Sequence, residues 1–588
     1  MPLDLQKNSV NGNLWEYAKA DERLAEMYVQ KFQLPYVLGR ILSARGIDEA
    51  SVPHFLNPKI ADLLPDPSCL KDMDKASKRL AEAVINGEKI GIIGDYDVDG
   101  ATSTSVMKRF LTELDIVTKV HIPSRDEGYG PNRCAFDEFK AEKIKLVLTL
   151  DCGTTAFEVL DAAQEDGFDV IVLDHHEAET KLPKVFAVVN PKRLDEQNMY
   201  PYLKYMAAVG VVFMSVVAVN RELKKSGFYE NHTQPDLLKM LDLVALGTVC
   251  DVVPLLGLNR AFVRQGLKIM QQGKNFGIKA LSLAAKINER LSAYHLGFVL
   301  GPRINAGGRV GDSNFGYKLL CAANENEAGQ YAEKLNAFNQ ERKDIEADVL
   351  LKAIEQLESE AQSYPIAFAY GQNWHQGVIG IVAGKLKERY NMPAFVMSVE
   401  EDGVKGSARS VDGVDLGALI IAAKEAGILT NGGGHMMAAG FSLSADKIEE
   451  FKAFAGEYVK AKAGDKPLTP VISFDALITL AGANMELSEK MAWLEPFGAS
   501  NPEPKVVIEN VKIVRANVFS NGHIRCFLSA DFAPSLKAVA FRAVDTNLGQ
   551  TMLNAKNQTF NVLGVLRKDE WLGNKTLQFI IEDIMKGE

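Results

Sequence analysis

Short apolar runs punctuate the first half of the chain, and each ends on acidic residues. Residues 89–94 (KIGIIG) lead into Asp95-Tyr96-Asp97-Val98-Asp99-Gly100, residues 145–150 (KLVLTL) into Asp151, and residues 169–173 (DVIVL) into Asp174-His175-His176. Between them, residues 101–114 and a stretch near 157–164 carry apolar positions at helical spacing. This alternation predicts βαβ units and a parallel sheet. In open parallel sheets the ligand crevice lies beyond the carboxyl ends of the strands, which is where all three acidic groups fall.

Further along, the pattern changes three times. Residues 1–80 read as a mostly helical preface broken by Pro53, Pro58, Pro65 and Pro67, and residues 81–323 carry the strand–helix alternation. Residues 324–363 place Leu335, Phe338, Ile345, Val349, Leu350 and Ile354 at helical spacing, which predicts a long connecting helix with one buried face. A second α/β region spans 364–465, and 466–588 breaks into five or six short strand-like runs, as in a small barrel or sandwich, the OB-fold being one candidate. The predicted fold class is therefore α/β: two α/β domains joined by a long helix and followed by a small β-barrel. The longest apolar stretch, residues 206–219, is shorter than the roughly 18 residues of a membrane span and reads as a buried helix.

The acidic strand ends, with Asp251 as a further carboxylate, form the donor set expected of a two-cation site. DYDVDG also fits the opening of a calcium loop, but the twelfth position is Val106 rather than Glu and a strand precedes it. Each Asp taken singly could serve as a helix or turn cap. Caps do not explain adjacent His175 and His176. Mixed carboxylate and imidazole donors suit Mn²⁺ first and Mg²⁺ second, whereas structural zinc usually brings cysteines. The six cysteines show no CxxC spacing, which points to a reducing compartment. Cys152, beside Asp151, reads as a small buried thiol in preference to a nucleophile.

In the second α/β region, Trp374-His375-Gln376-Gly377 through Gly384, Gly406-Ser407-Ala408-Arg409-Ser410 and Gly432-Gly433-Gly434-His435 combine dense glycine with a hydroxyl and a fork-shaped cation, as a phosphate pocket would. Packing or turn formation explains any one of these runs equally well, and His375 and His435 read equally as structural histidines. In the last region Phe519, Arg525, Phe527, Arg542, Arg567 and Trp571 offer a basic and aromatic face for single strands, with core packing the favoured reading for most of the aromatics.

A formal charge of −10 over 588 residues means that a polyanion must be held in a local basic groove. No basic n-region and apolar h-region open the sequence, so a cytoplasmic, soluble protein is expected.

Taken together, the ordered motifs resemble the DHH phosphoesterase superfamily, and within it the RecJ branch of single-strand-specific DNA exonucleases. They are DYDVDG, LDCGTT, DHH, GTVCDVVPL, GPRINAGGR, WHQGVIGIVAG, GSARS, GGGHMMAAG and PFGASNPEP, and no metal-ligand position departs from the pattern. The resemblance implies a DHH domain, a DHHA1 domain and an OB-like domain, hydrolysing single-stranded DNA from the 5′ end to mononucleotides. It implies Asp97, Asp99, Asp151, His175 and Asp251 as ligands of two divalent cations, with Asp151 as the bridge. Asp95 would assist the first ion and His176 would face the scissile phosphate. Arg125, Arg303, Asn305, Arg309, Ser407, Arg409 and His435 correspond to phosphate-handling positions. It further implies a monomer working in recombination and repair beside a helicase and a single-strand-binding protein. Two other readings stay open at this level: a DHH enzyme for short oligoribonucleotides or small phosphoesters, and a non-catalytic DNA-binding scaffold.

Overall fold

Five parallel strands form the sheet of the first α/β unit, in the order Thr118–His121, Ile90–Gly94, Leu146–Leu150, Asp169–Leu173, Ala187–Val189. These features come from a computed structural model, which describes residues 7–125, 127–197, 200, 202–359, 363–463, 469–556, 558–571 and 574–587. The strands Ile90–Gly94 and Leu146–Leu150 are buried at every position, as their unbroken apolar sequence requires of a sheet covered on both faces. Helices Met73–Ile85, Val98–Glu113, Ala208–Lys225 and Leu241–Cys250 cover one face, and Arg133–Ala141 and Phe157–Glu165 cover the other.

From Ile90–Gly94 the chain first winds to one side, to Thr118–His121, and then crosses to the other, to Leu146–Leu150. The order therefore reverses between two neighbouring strands whose carboxyl ends carry Asp95 and Asp151. A crevice at such a switch point is where open sheets bind ligands.

The acidic motif is not wholly a loop, as its sequence suggested. The helix begins at Val98, with Asp97 as its N-cap and Asp99 already in the first turn. The apolar stretch 206–219 lies mostly in the buried helix Ala208–Lys225, and no helix among the described residues is long and apolar enough to cross a membrane.

Helix Glu325–Ser359 joins the two α/β units by burying different residues along its length. Ala332 and Leu335 enter the core of the first unit, and Val349, Ala353 and Leu357 that of the second. The second unit is a mixed sheet in the order Asn431–His435, Ala438–Leu443, Gly403–Arg409, Ala394–Glu400, Ala367–Gln372, parallel only between the last two. In the C-terminal unit, Val506–Phe519, His523–Ser529, Leu536–Ala540, Asn574–Lys586 and Thr559–Trp571 pair in turn, and the last returns to pair with the first. The result is a closed five-stranded barrel, which removes exposed sheet edges.

The helical preface read over 1–80 is divided between two units. Strand Leu14–Tyr17 pairs in parallel with Val471–Phe474, and Tyr28, Leu38, Ile41 and Leu42 enter the core of the barrel unit. Helix Met73–Ile85 instead packs on the first sheet. Local periodicity shows that a helix has an apolar face but not which distant surface covers it.

Candidate metal centre and anion pocket

Four chain segments converge at the switch point. Asp95 follows strand Ile90–Gly94 and is almost fully buried, as are Asp99, Asp151 and His175. Asp151 follows strand Leu146–Leu150 with φ 63°, a left-handed conformation uncommon outside glycine. Asp251 caps the carboxyl end of helix Leu241–Cys250, and the next residue, Val252, has φ 59°. A β-branched residue in that region is strained, a pattern that concentrates at functional sites.

Among the described residues, potential ligand atoms fall into three overlapping groups, each within 4.8 Å: Asp95, Asp97 and Asp151; Asp151, His175 and His176; Asp99, His175 and Asp251. Asp151 and His175 each belong to two of them. His175 Nε2 lies 3.4 Å from Asp151 Oδ1, 3.6 Å from Asp251 Oδ2 and 3.7 Å from Asp99 Oδ2. The five residues expected as ligands, Asp97, Asp99, Asp151, His175 and Asp251, are thus brought together with Asp95 and His176.

Simple capping accounts for only part of this. Asp97 does accept the N–H of Gly100 at 3.0 Å, and Asp99 accepts those of Ala208 and Val209 at 2.6 and 3.0 Å, at the start of helix Ala208–Lys225. By contrast, among the described residues Asp95 Oδ1, Asp151 Oδ1, His175 Nδ1 and Asp251 Oδ2 are buried without a hydrogen-bond partner. Orphaned buried oxygens and nitrogens are costly, and a divalent ion with mixed oxygen and imidazole ligands satisfies such a set. The residues present fit that group.

The electrostatics agree. Burial, reinforced by neighbouring carboxylates, pushes Asp95, Asp99 and Asp251 up to about 7 and holds Asp151 well above the usual carboxylate range. Burial lowers His175, so its imidazole is neutral and able to ligate.

Asp174 has a different part. It accepts from Thr154 N at 3.0 Å, His175 N at 2.7 Å, His176 N at 3.2 Å and His176 Nδ1 at 2.8 Å. Burial would raise its pKa, but these bonds and the His176 charge outweigh burial and hold the carboxyl well below the usual range. His176 is raised in return: burial disfavours its protonation, and Asp174 more than offsets that. Asp174 therefore orients His176 and is not a member of the ligand groups. Asn190 donates to His176 O and to Thr154 Oγ1, both at 2.9 Å, and ties the same loop from the next strand. Tyr129 Oη donates to Asp151 O at 2.8 Å. No sequence pattern pointed to Asn190 or Tyr129. Cys152 is fully buried, which pushes its thiol far above the range of a nucleophile.

Beside the cluster, Arg125, Arg309, Gln376, Lys405, Ser407 and Arg409 line a cavity of about 360 Å³ between the two α/β units. Arg125 stacks on the ring of Tyr96, between Asp95 and Asp97, at 4.7 Å, and donates to Gly308 O at 2.6 Å. Arg309 donates to Gly377 O at 2.8 Å across the units, and burial lowers it to about 10. Arg409 donates to Ser407 Oγ at 3.1 Å. Helix Gln376–Tyr390 passes so close that a Cβ at Gly380 would meet Ser407 Oγ at 2.9 Å and Arg409 Nη2 at 3.0 Å.

Three residues expected to handle phosphate do not line this cavity. Arg303 donates to Asn336 Oδ1 and Val299 O, and Asn305 is half-buried on the same helix, Gly301–Val310. His435 ends the exposed edge strand Asn431–His435; there Gly432 and Gly434 are required by close packing against Ile420 and Ala438–Ala439. His375 caps helix Gln376–Tyr390 by accepting from Gly377 N at 3.0 Å. On the barrel, Arg525 lies 5.8 Å over the exposed Phe519 ring. Phe527 is half-buried, Arg542 is exposed and Arg567 is paired with Glu503; the side chain of Trp571 lies outside the described residues.

The fold and the site define a phosphoesterase of the DHH class. Residues 89–248 match the DHH family, N-terminal domain, 363–461 the DHHA1 domain and 474–583 the RecJ OB domain. The chain is 34% identical over 566 residues to the "Single-stranded-DNA-specific exonuclease RecJ" of Escherichia coli, covering 94% of this chain and 96% of that protein. It is 33% identical over 581 residues to the protein of the same description from Bacillus subtilis, covering 98% of this chain and 71% of the relative. The crystal structure of Thermus thermophilus RecJ in complex with Mn²⁺ superposes with a TM-score of 0.80 at 27% identity, covering 98% of this chain and 80% of that one. The chain belongs to the RecJ family.

Proposed function

We propose that this chain is a single-strand-specific DNA exonuclease that hydrolyses phosphodiester bonds from the 5′ end and releases 5′-mononucleotides. One observation carries the reading: the cluster of orphaned carboxylate and imidazole donors and the arginine-lined cavity share one crevice, joined by the stack of Arg125 on Tyr96. Asp97, Asp99, Asp151, His175 and Asp251 hold two divalent cations, Mn²⁺ by preference and Mg²⁺ as the substitute, with Asp95 assisting. Such a pair of ions supplies activation of water and neutralisation of charge at a phosphodiester.

The protein's own groups do the rest. Arg125, Arg309, Ser407 and Arg409 clamp non-bridging phosphate oxygens, which fixes the strand without reading its sequence. His176, held by Asp174 through Nδ1, turns its ring toward the ligand cluster, where the scissile phosphate would lie. A crevice walled by two α/β units admits one strand more readily than a duplex, and the exposed Phe519–Arg525 pair offers a stacking surface for the strand beyond it. The family resemblance extends the proposal to a cytoplasmic monomer acting in recombination and repair with a helicase and a single-strand-binding protein.

The test is cleavage of 5′- and 3′-labelled single-stranded and duplex oligonucleotides with Mn²⁺, Mg²⁺ or chelator. Metal-dependent release of mononucleotides from the 5′ end of single strands is expected. Cleavage of dinucleotides alone, or efficient attack on blunt duplex, would overturn the reading.

A further inference from the structure

Asp99 and Asp251 share a ligand group with His175, and each is placed by backbone from another part of the chain. Asp99 accepts the amides of Ala208 and Val209, whereas Asp251 sits on the turn that leaves helix Leu241–Cys250 and runs on through Pro254. One side chain ties the two supports together. Asn259, in the first turn of helix Gly257–Met270 and 2% exposed, donates through Nδ2 to Tyr205 O at 2.7 Å and to Pro254 O at 3.0 Å. Tyr205 lies three residues before Ala208, and Pro254 three after Asp251. A buried amide that bridges two carbonyls fixes their separation, because moving either one leaves a buried polar group unpaired.

The same stretch is fastened to the barrel unit on its other side. Leu255 enters the core of the first unit, and the next residue, Leu256, packs against that of the barrel unit. Leu255 N donates to Ala499 O at 2.9 Å. Arg260, the neighbour of Asn259, donates to Leu494 O, Glu495 O and Pro496 O at 2.8, 2.7 and 3.2 Å. The receiving loop is braced from within by the fully buried Asn501, which donates to Leu494 O and Pro496 O, both at 2.8 Å. At Gly498 the two units approach so closely that a Cβ would meet Leu255 Cδ1 at 2.7 Å.

We propose that Asn259 is a positioning residue that holds Asp99 and Asp251 as one ligand pair, and that residues 494–501 of the barrel unit complete this support through Leu255 and Arg260. The barrel is then part of the scaffold of the metal centre as well as a surface for the strand. The proposal rests on the reading of the cluster as a two-cation site. Asp95 and Asp151, in the other carboxylate group, follow directly from strands Ile90–Gly94 and Leu146–Leu150, so the effect falls on one ion of the two.

The test uses the full chain and compares wild type, Asn259→Ala, Gly498→Ala and Trp15→Phe. The last removes a bond to Asp583 inside the barrel unit and serves as a control for general destabilisation. Mn²⁺ binding is followed by calorimetry, metal-free stability by thermal unfolding, and kcat and KM on a single strand. Asn259→Ala is expected to weaken one of two Mn²⁺ binding stages by roughly 10-fold, as loss of an outer-shell partner does, and to lower kcat with little change in KM. Gly498→Ala leaves the bonds of Asn259 in place and presses a methyl group on Leu255; it should weaken the same stage by less. Trp15→Phe should lower the unfolding midpoint and leave both stages unchanged.

Unchanged Mn²⁺ affinities in a folded Asn259→Ala, or equal losses at both stages, would overturn the positioning role. If Asn259→Ala does not fold, Gly498→Ala decides, and the absence of a selective loss there overturns the proposal. The same selective loss in Trp15→Phe would reduce the effect to general destabilisation and overturn it as well. A wild type that binds two Mn²⁺ but cleaves no single strand, with one stage still weakened in Asn259→Ala, would count against the substrate reading and support the role of Asn259.

Discussion

In the first α/β unit five carboxylates converge with almost no cation among them, and three are pushed up to about 7 because burial and mutual repulsion oppose their charge. The wall contributed by the second unit carries the opposite excess: Lys405 and Arg409 line it with Ser407, and Arg125 and Arg309 reach across from the first. Among the described residues the ligand cluster carries carboxylates in excess, and the lining of the cavity carries cations and no carboxylate. A polyanion bound with divalent ions supplies the opposite charge to each, which explains how a chain of formal charge −10 can hold nucleic acid.

The contrast is broken most severely at the acidic wall. Asp151→Ala removes the carboxylate common to two ligand groups and should abolish metal-dependent cleavage, a loss greater than the roughly 10–100-fold typical of outer-shell changes. Calorimetric titration with Mn²⁺ and the labelled-strand assay check it together. Asp174→Asn leaves every ligand in place but weakens the hold on His176; a loss within that roughly 10–100-fold range is expected in activity, and retention of full activity would remove Asp174 from the site.

At the basic wall the effects should be smaller and of another kind. Arg409→Lys keeps the charge but loses the fork. KM should rise by roughly 10-fold, about 1.4 kcal/mol and close to the lower end of the range for hydrogen bonds to charged groups, with kcat nearly unchanged. Arg409→Ala should in addition lower the salt dependence of binding by about one ion. A kcat effect with constant KM would instead place Arg409 at the reacting phosphate.

A pH series probes the acidic wall more gently. The folded chain keeps protons on Asp95, Asp99 and Asp251 that the unfolded chain releases from 3.8 upward. Their contribution to the stability of the metal-free protein is full below 3.8 and is lost as pH rises through about 7. Mn²⁺ displaces those protons, so its stabilising effect in thermal unfolding should be larger at pH 8 than at pH 5. Equal shifts at both values would mean that these carboxylates do not bind the ion.

The C-terminal barrel makes a further contrast with the two α/β units, because the chain that completes it comes from both ends. Arg260, fully buried, donates to Phe55 O, Leu494 O, Glu495 O and Pro496 O, and Leu255 N, just after the Asp251 turn, donates to Ala499 O at 2.9 Å. The PFGASN segment therefore fastens the barrel unit to the first unit. Removing residues 466–588 alone would uncover Tyr28, Leu38 and Ile41, so a truncation meant to isolate the crevice must also remove the first helices.

The strands of the first unit, and the acidic and imidazole residues clustered at their ends, were legible in the sequence for a physical reason. A doubly covered parallel strand must be apolar throughout, and a ligand at its carboxyl end must be the next residue along the chain. Asp95 and Asp151 follow that grammar, His175 lies one residue further along, and the long helix followed from its period. Glycine density was a weaker guide, because Gly380 is required by close approach to the arginine pocket whereas Gly432 and Gly434 are required by packing. His435, which shares their run, lies outside the cavity.

What the sequence determined by itself was the set of local elements and the residue types delivered at their ends. Only the tertiary structure decided the rest: that Leu14–Tyr17 pairs with Val471–Phe474, that Asp174 holds His176 while Asp99 rests on another helix's first amides, and that Tyr129 reaches Asp151. These contacts join residues that no period or spacing relates. They exist because burial brings separate faces of the chain together, and directional hydrogen bonds then select among the polar groups that happen to meet there.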